Sequence, residues 1–146
     1  MDKEKQEPSD SITSTHTHLV FVYGTLRKGQ CNHRYFLDRS TFLGMAKTKR
    51  RYALYGNWVP FLSRTGSVSR VTGEVYSIDD ATLSRLDELE GHPDAYKREQ
   101  DEVVLEDGTE LIAWIYFYDA APGDLIQSGD FLSGLNAPSR RRKRCV

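Results

Sequence analysis

Five apolar or aromatic residues, Leu19-Val20-Phe21-Val22-Tyr23, run without a break and stop at Gly24. A short apolar run rich in valine and aromatics, closed by a turn residue, predicts a strand buried on both faces. Two further short strands are predicted at Phe42–Ala46 and Tyr52–Tyr55, with a turn at Gly56-Asn57. Residues Trp58 to Ser63 contain Pro60, which cannot donate to a ladder, so this stretch is an edge or irregular strand. From Val71 to Ile78 the chain alternates, with Val71, Gly73, Val75 and Ser77 on one face and Thr72, Glu74, Tyr76 and Ile78 on the other. The period then changes. Asp79 or Asp80 caps a helix in which Leu83, Leu86 and Leu89 recur at spacings of three. Glu90 stands seven residues after Leu83 and four after Leu86, which puts a carboxylate in the middle of the apolar stripe. Glu88 points to the other side and reads as surface. Gly91-His92-Pro93-Asp94 ends the helix.

The pattern continues with a hairpin. Tyr96 to Leu105 pairs with Leu111 to Tyr118 around the turn signal Asp107-Gly108. A second, short helix is predicted over His33 to Arg39, and the chain becomes irregular beyond Pro122. Six or seven strands, two helices and no regular strand–helix alternation predict an α+β fold whose sheet curls into a small barrel.

The polar stretch 1–18 and the residues from 137 on lack this patterning. They predict a disordered leader and a flexible basic tail around one domain at 19–136. With 146 residues, the chain has room for one domain with a real core. Net charge changes the picture through its distribution. The total is -1, but five basic residues sit at 140–144, and without them fifteen basic residues face 21 acidic ones. The body therefore has no general attraction for nucleic acid, and the tail is an address or a weak electrostatic contact. No apolar stretch approaches the roughly 20 residues that span a bilayer, so no membrane insertion is expected. Two cysteines, Cys31 and Cys145, suit a reducing compartment with no stable bridge between them. The expected location is cytoplasmic, with the tail a candidate nuclear address.

Candidate chemistry concentrates at two places. The turn after the first strand presents backbone N–H groups at Gly24, Thr25 and Leu26, a nest suited to a carboxylate or a developing oxyanion. Gly24 can take backbone angles closed to a residue with Cβ, and it lets a ligand come close to the main chain. Gly24 and Gly29 have the spacing of a nucleotide phosphate loop, but Gln30 and Cys31 stand where its cation and hydroxyl belong, which excludes an NTPase. Glu90 is the second place. Burial in an apolar stripe raises a carboxyl pKa and suits a group that takes and returns a proton near neutral pH. The alternative for Glu90 is a buried ion pair with no catalytic part. Cys31 and His33 lie too close in a loop to form a nucleophile–base pair, and His16 and His18 lack the companions of a metal site.

Phe21-Val22-Tyr23-Gly24-Thr25-Leu26-Arg27-Lys28-Gly29-Gln30, followed by Asn32-His33-Arg34, resembles the opening of the γ-glutamylcyclotransferase-like family. The branch it is most similar to is that of the γ-glutamylamine cyclotransferases and avirulence-induced proteins. Gly73-Glu74-Val75-Tyr76, Leu86-Asp87-Glu88-Leu89-Glu90 and Tyr96-Lys97-Arg98 match later landmarks in order, so the resemblance covers roughly 19–131. It implies a small mixed β-barrel flanked by helices, with Tyr23, Gly24, Thr25 and Leu26 as the substrate loop and Glu90 as the acid/base residue. Tyr96, Tyr116 and Tyr118 are candidate pocket walls. The implied reaction closes a γ-glutamyl amide to 5-oxoproline and a free amine or amino acid. It needs no metal and no cofactor, and the implied partner is a small-molecule substrate of a monomeric enzyme. The competing reading is a binding module that keeps the pocket for a glutamyl-like ligand or a partner protein, without turnover.

Overall fold

The computed structural model describes residues 17–120 and 123–133. In chain order the elements are β1 (Thr17–Val22), α1 (His33–Phe36), β2 (Thr41–Gly56), β3 (Pro60–Ser63), β4 (Ser69–Asp79), α2 (Asp80–Glu90), β5 (Lys97–Leu105) and β6 (Glu110–Phe117). The strands run in the order β3-β2-β4-β1-β6-β5, and β2 also pairs with β5. That extra pairing closes five strands into a barrel and leaves β3 outside as an edge on β2. The sheet is mixed because β1 and β6 run parallel, meeting at Val20 and Trp114, while the other pairs are antiparallel.

Two cores follow from the alternation of side chains across the barrel wall. Inward residues such as Phe21, Val71, Val75, Val103, Ile115 and Phe117 fill the barrel. The opposite faces of β1, β4 and β6, through Val20, Val22, Tyr76, Ile78 and Tyr116, pack against Leu83 and Leu86 of α2 and Leu37 after α1. Helix α2 starts where Asp79 Oδ1 accepts from the Thr82 N–H at 2.8 Å, and it stops at Gly91, whose φ of 70° is left-handed. That angle is open to glycine at little cost, so Gly91 fixes where Glu90 stands.

The structure corrects the sequence in one element. The two short strands expected at Phe42–Ala46 and Tyr52–Tyr55 are parts of the single sixteen-residue strand β2. The charged run Lys47 to Arg51 reads as a break because its side chains are mostly exposed. Its backbone stays in the sheet and absorbs the bend by register shifts between Phe42 and Gly44 and between Lys47 and Arg51. Thr48 sits buried at the second shift, its hydroxyl donating to the Arg50 carbonyl at 2.7 Å and accepting the Val71 N–H at 2.8 Å.

Among the described residues, no helix is long and apolar enough to cross a membrane. Apart from Thr17 and His18, the leader at 1–18 and the tail at 137–146 lie outside the described residues. His18 takes part in β1 and pairs with Asp80. Cys31 is disulfide-bonded, against the expectation of an unbridged thiol. The chain's other cysteine, Cys145, lies outside the described residues.

Candidate active site

The end of β1, the C-terminus of α2 and the start of β3 meet at one cavity of about 160 Å³. Its wall is formed by Phe21, Val22, Tyr23, Gly24, Thr25, Leu26, Asn32, Val59, Pro60, Leu89, Glu90, Tyr96 and Tyr116. The fold thus brings together the two places that the sequence singled out, although they lie more than sixty positions apart. Of the candidate pocket walls, Tyr96 and Tyr116 line the cavity. Tyr118 does not; it stands edge-on behind Tyr96, with ring centroids 5.1 Å apart.

The turn after β1 is tight. The Arg27 N–H donates to the Gly24 carbonyl at 2.9 Å, and the Asn32 N–H donates to the Thr25 carbonyl at 3.0 Å. Among the described residues, no hydrogen bond of this turn takes the N–H of Gly24, Thr25 or Leu26 as its donor. Three amides therefore remain available at the cavity edge. Gly24 is not one of the glycines with positive φ. A Cβ added there would meet Pro60 Cγ at 2.1 Å and Cδ at 2.6 Å. Gly24 is glycine because Pro60 packs directly on its backbone, not because of its backbone angles.

Glu90 ends the last turn of α2 and faces the cavity half-buried. Among the described residues lining the cavity, it is the one side chain that carries a formal charge. Among the described residues its carboxylate makes no hydrogen bond and no ion pair. Burial without compensation pushes its pKa up to about 7. The phenols around it behave differently. Burial raises Tyr23, Tyr96 and Tyr116 well above their ordinary values, helped at Tyr96 by the nearby Glu90 charge and at Tyr116 by its hydrogen bond to Asp87, so they stay neutral. Tyr23 donates its hydroxyl to the Tyr116 carbonyl, and Tyr96 donates to the Pro60 carbonyl at 2.7 Å. The cavity thus has neutral, oriented walls and one group that titrates near neutral pH.

Two polar clusters that sequence reasoning left without a role hold this geometry. One turn back along α2, Asp87 accepts from Arg98 Nε at 2.7 Å, from Arg98 Nη2 at 3.0 Å and from the Tyr116 hydroxyl at 2.7 Å. Arg98 also lies over the Trp114 ring, 4.2 Å from its centroid. Burial would raise the Asp87 carboxyl, but these donors overcome it and hold the group below the usual carboxylate range. This clamp ties the end of α2 to β5 and β6.

On the other side of the loop, buried Glu74 accepts from Arg27 Nε at 3.2 Å, the Lys28 N–H at 2.9 Å and the Tyr76 hydroxyl at 2.9 Å. Arg27 Nη1 also donates to Asp130 at 2.8 Å. Both clusters fall within short motifs that are legible in sequence. Their pairings span up to 103 positions, which no local spacing announces. Asn32, a further cavity residue, carries no sequence signal beyond its place after the loop. No group of three His, Cys, Asp or Glu with metal-holding geometry occurs among the described residues.

Comparison with known proteins bears on the fold and the family. The family model described as gamma-glutamyl cyclotransferase, AIG2-like, matches residues 20–133. A Methanocaldococcus jannaschii protein provisionally named gamma-glutamylcyclotransferase is 48% identical over 112 residues, covering 77% of this chain and 93% of that protein. The gamma-glutamylaminecyclotransferase of Rattus norvegicus is 35% identical over 129 residues, 82% of this chain and 80% of that one. The crystal structure of an AIG2-like protein from Mus musculus superposes with a TM-score of 0.74 at 30% identity, covering 90% of this chain and 97% of its own.

Proposed function

Because the chain belongs to the AIG2-like gamma-glutamyl cyclotransferase family, we propose that it is a cyclotransferase that converts a γ-glutamyl amide to 5-oxoproline with Glu90 as its proton carrier. The observation that carries this reading is the Glu90 carboxylate, which faces the cavity without a partner and has a pKa of about 7.

The chemistry uses the substrate's own nucleophile. A γ-glutamyl amide bent in the cavity brings its α-amine against its γ-carbonyl. Holding that conformer supplies much of the rate, because the attack becomes intramolecular and pre-oriented. Ionised Glu90 takes a proton from the α-ammonium. The amine lone pair then forms the bond from nitrogen to the γ-carbon, and the carbonyl oxygen becomes an oxyanion. Amides of Gly24, Thr25 and Leu26 stabilise that oxyanion or hold the α-carboxylate. Protonated Glu90 returns its proton to the departing nitrogen, the oxyanion collapses and the bond from that nitrogen to the γ-carbon breaks. The ring nitrogen passes its second proton through the regenerated Glu90 carboxylate to the departing amine, so 5-oxoproline and an alkylammonium leave. A pKa near 7 suits both halves of this cycle. Cys31 is disulfide-bonded and is no candidate for a thiolate nucleophile.

The cavity size bears on the substrate. At about 160 Å³, it is close to the roughly 150 Å³ of a cavity that admits benzene. That encloses a glutamyl head and leaves the departing amine at the mouth. The test is a panel of γ-glutamyl compounds assayed for 5-oxoproline, each beside its N-acetyl derivative. The free-amine compounds are expected to turn over and the acetylated ones not to. Release of N-acetylglutamate at a comparable rate would mean that water or a protein nucleophile attacks instead.

A further inference from the structure

Asn32 sits at the N-cap of α1, a position where asparagine is favoured because its side-chain oxygen caps a free helix N–H. Here it makes no cap hydrogen bond. The side chain turns the other way, and Nδ2 donates to Thr25 Oγ1 at 3.1 Å. The residue is only 6% exposed, and it lines the cavity. Among the described residues, its Oδ1 accepts no hydrogen bond. That oxygen is not sealed off: among the described residues the buried side-chain polar atom without a partner is Ser69 Oγ, so Asn32 Oδ1 stays open to the cavity. It is an acceptor that the turn itself leaves unused.

Its neighbours show what would complete it. Asn32 is fastened to Thr25 twice, by its own N–H to the Thr25 carbonyl and by its side chain to the Thr25 hydroxyl. Thr25 belongs to the turn whose amides at Gly24, Thr25 and Leu26 are unused. One small region therefore offers several donors beside a neutral acceptor. An α-amino acid head has the matching arrangement, a carboxylate that accepts and an ammonium that donates, both on one carbon. Glu90 lines the same cavity as a second side-chain acceptor, and an ammonium has three protons to donate.

We propose that Asn32 Oδ1 binds the α-ammonium of the substrate beside the amide turn, making Asn32 the residue that selects a free α-amine. This assignment rests on the γ-glutamyl reading of the site. The division of labour is specific: Asn32 fixes the amine, and Glu90 removes its proton. A neutral acceptor suits the first task because it does not compete for the proton that Glu90 must take.

The experiment compares two ligands that differ only in the amine. γ-Glutamylbutylamine serves as substrate, and N-butylglutaramate, which lacks the α-amine and cannot cyclise, serves as competitive inhibitor. A hydrogen bond to a charged group is worth roughly a ten- to hundredfold change in binding. In Asn32→Leu, KM for γ-glutamylbutylamine should rise by about that factor, while Ki for N-butylglutaramate stays within about twofold of wild type. Unchanged inhibitor binding also shows that the variant is folded. Asn32→Asp keeps an acceptor and should retain the preference for the amine. If both constants rise together in Asn32→Leu, or if neither changes, the assignment is overturned. A wild-type enzyme that binds neither compound would overturn the γ-glutamyl reading and this assignment with it.

Discussion

Two glutamates flank the same loop after β1, and the protein treats them in opposite ways. Glu74, on β4, is 5% exposed and accepts from the Arg27 guanidinium, the Lys28 N–H and the Tyr76 hydroxyl. Glu90, at the end of α2, faces a cavity and has no such donor among the described residues. Both are carboxylates removed from bulk water, yet only one is compensated. A compensated buried charge locks a loop in place. An uncompensated one is costly, and that cost takes the form of a raised proton affinity. Burial alone does not separate structural from chemical carboxylates; the donors around them do.

The largest effect should come from removing the proposed proton carrier. Glu90→Gln keeps the shape and loses the transfer, so 5-oxoproline release should fall by about 10²- to 10⁴-fold, with a much smaller change in KM. Glu88→Gln, two residues away and exposed, is the control and should match wild type. The converse substitution sharpens the contrast. Glu74→Gln leaves the Arg27 charge short of its partner, and breaking a buried ion pair typically costs about 3 kcal/mol or more. Urea denaturation should show that loss. If Glu74→Gln were as stable as wild type while Glu90→Gln unfolded, the two roles would be exchanged.

How far this contrast was legible in sequence depends on the range of the interactions involved. The apolar run before Gly24, the alternation of β4 and the leucine stripe of α2 are local, and each placed its element. Glu90 stood out because a carboxylate interrupted a stripe. Glu74 did not, because it lay in an ordinary alternating strand and its partners Arg27 and Lys28 come from a loop 47 and 46 positions earlier. The continuity of β2 was hidden by five residues that read as a charged break. Gly24 was singled out for its backbone, but the contact that the structure shows there comes from Pro60, on the far side of a long strand. Asn32 was invisible as a ligand because its role depends on a cap hydrogen bond that it does not make.

A third substitution probes the loop between the two glutamates. Gly24→Ala places a Cβ against the Pro60 ring, whose nearest atom is 2.1 Å away. Overpacking of this kind costs about 1–3 kcal/mol. Moving Pro60 also shifts the cavity wall, so KM should rise along with the loss in melting temperature. A variant with normal stability and kinetics would show that the packing of Pro60 on Gly24 does not shape the site.

The smallest effect concerns pH. The pKa of Glu90 in the folded protein, about 7, lies above its ordinary value of 4.5. The folded state therefore binds the proton more tightly than the unfolded chain. The native protein is favoured while Glu90 is protonated, and that stability is lost as pH rises from 4.5 through 7. Glu90→Gln removes the penalty. It should be more stable than wild type above pH 7, on the order of 1–2 kcal/mol once cavity water is allowed to screen the charge, and the gap should close below about pH 4.5. Denaturation of both proteins across this range measures it; a gap that does not change with pH would trace to packing instead.

The central claim is that Glu90 is a half-buried, uncompensated carboxyl that titrates near neutral pH. Carbon-13 NMR of the side-chain carboxyl, assigned by its loss in Glu90→Gln, reads this directly in the free enzyme. The account predicts a midpoint at about pH 7. A midpoint in the ordinary carboxylate range would mean that Glu90 is paired or solvated like any surface glutamate, and the contrast with Glu74 would not stand.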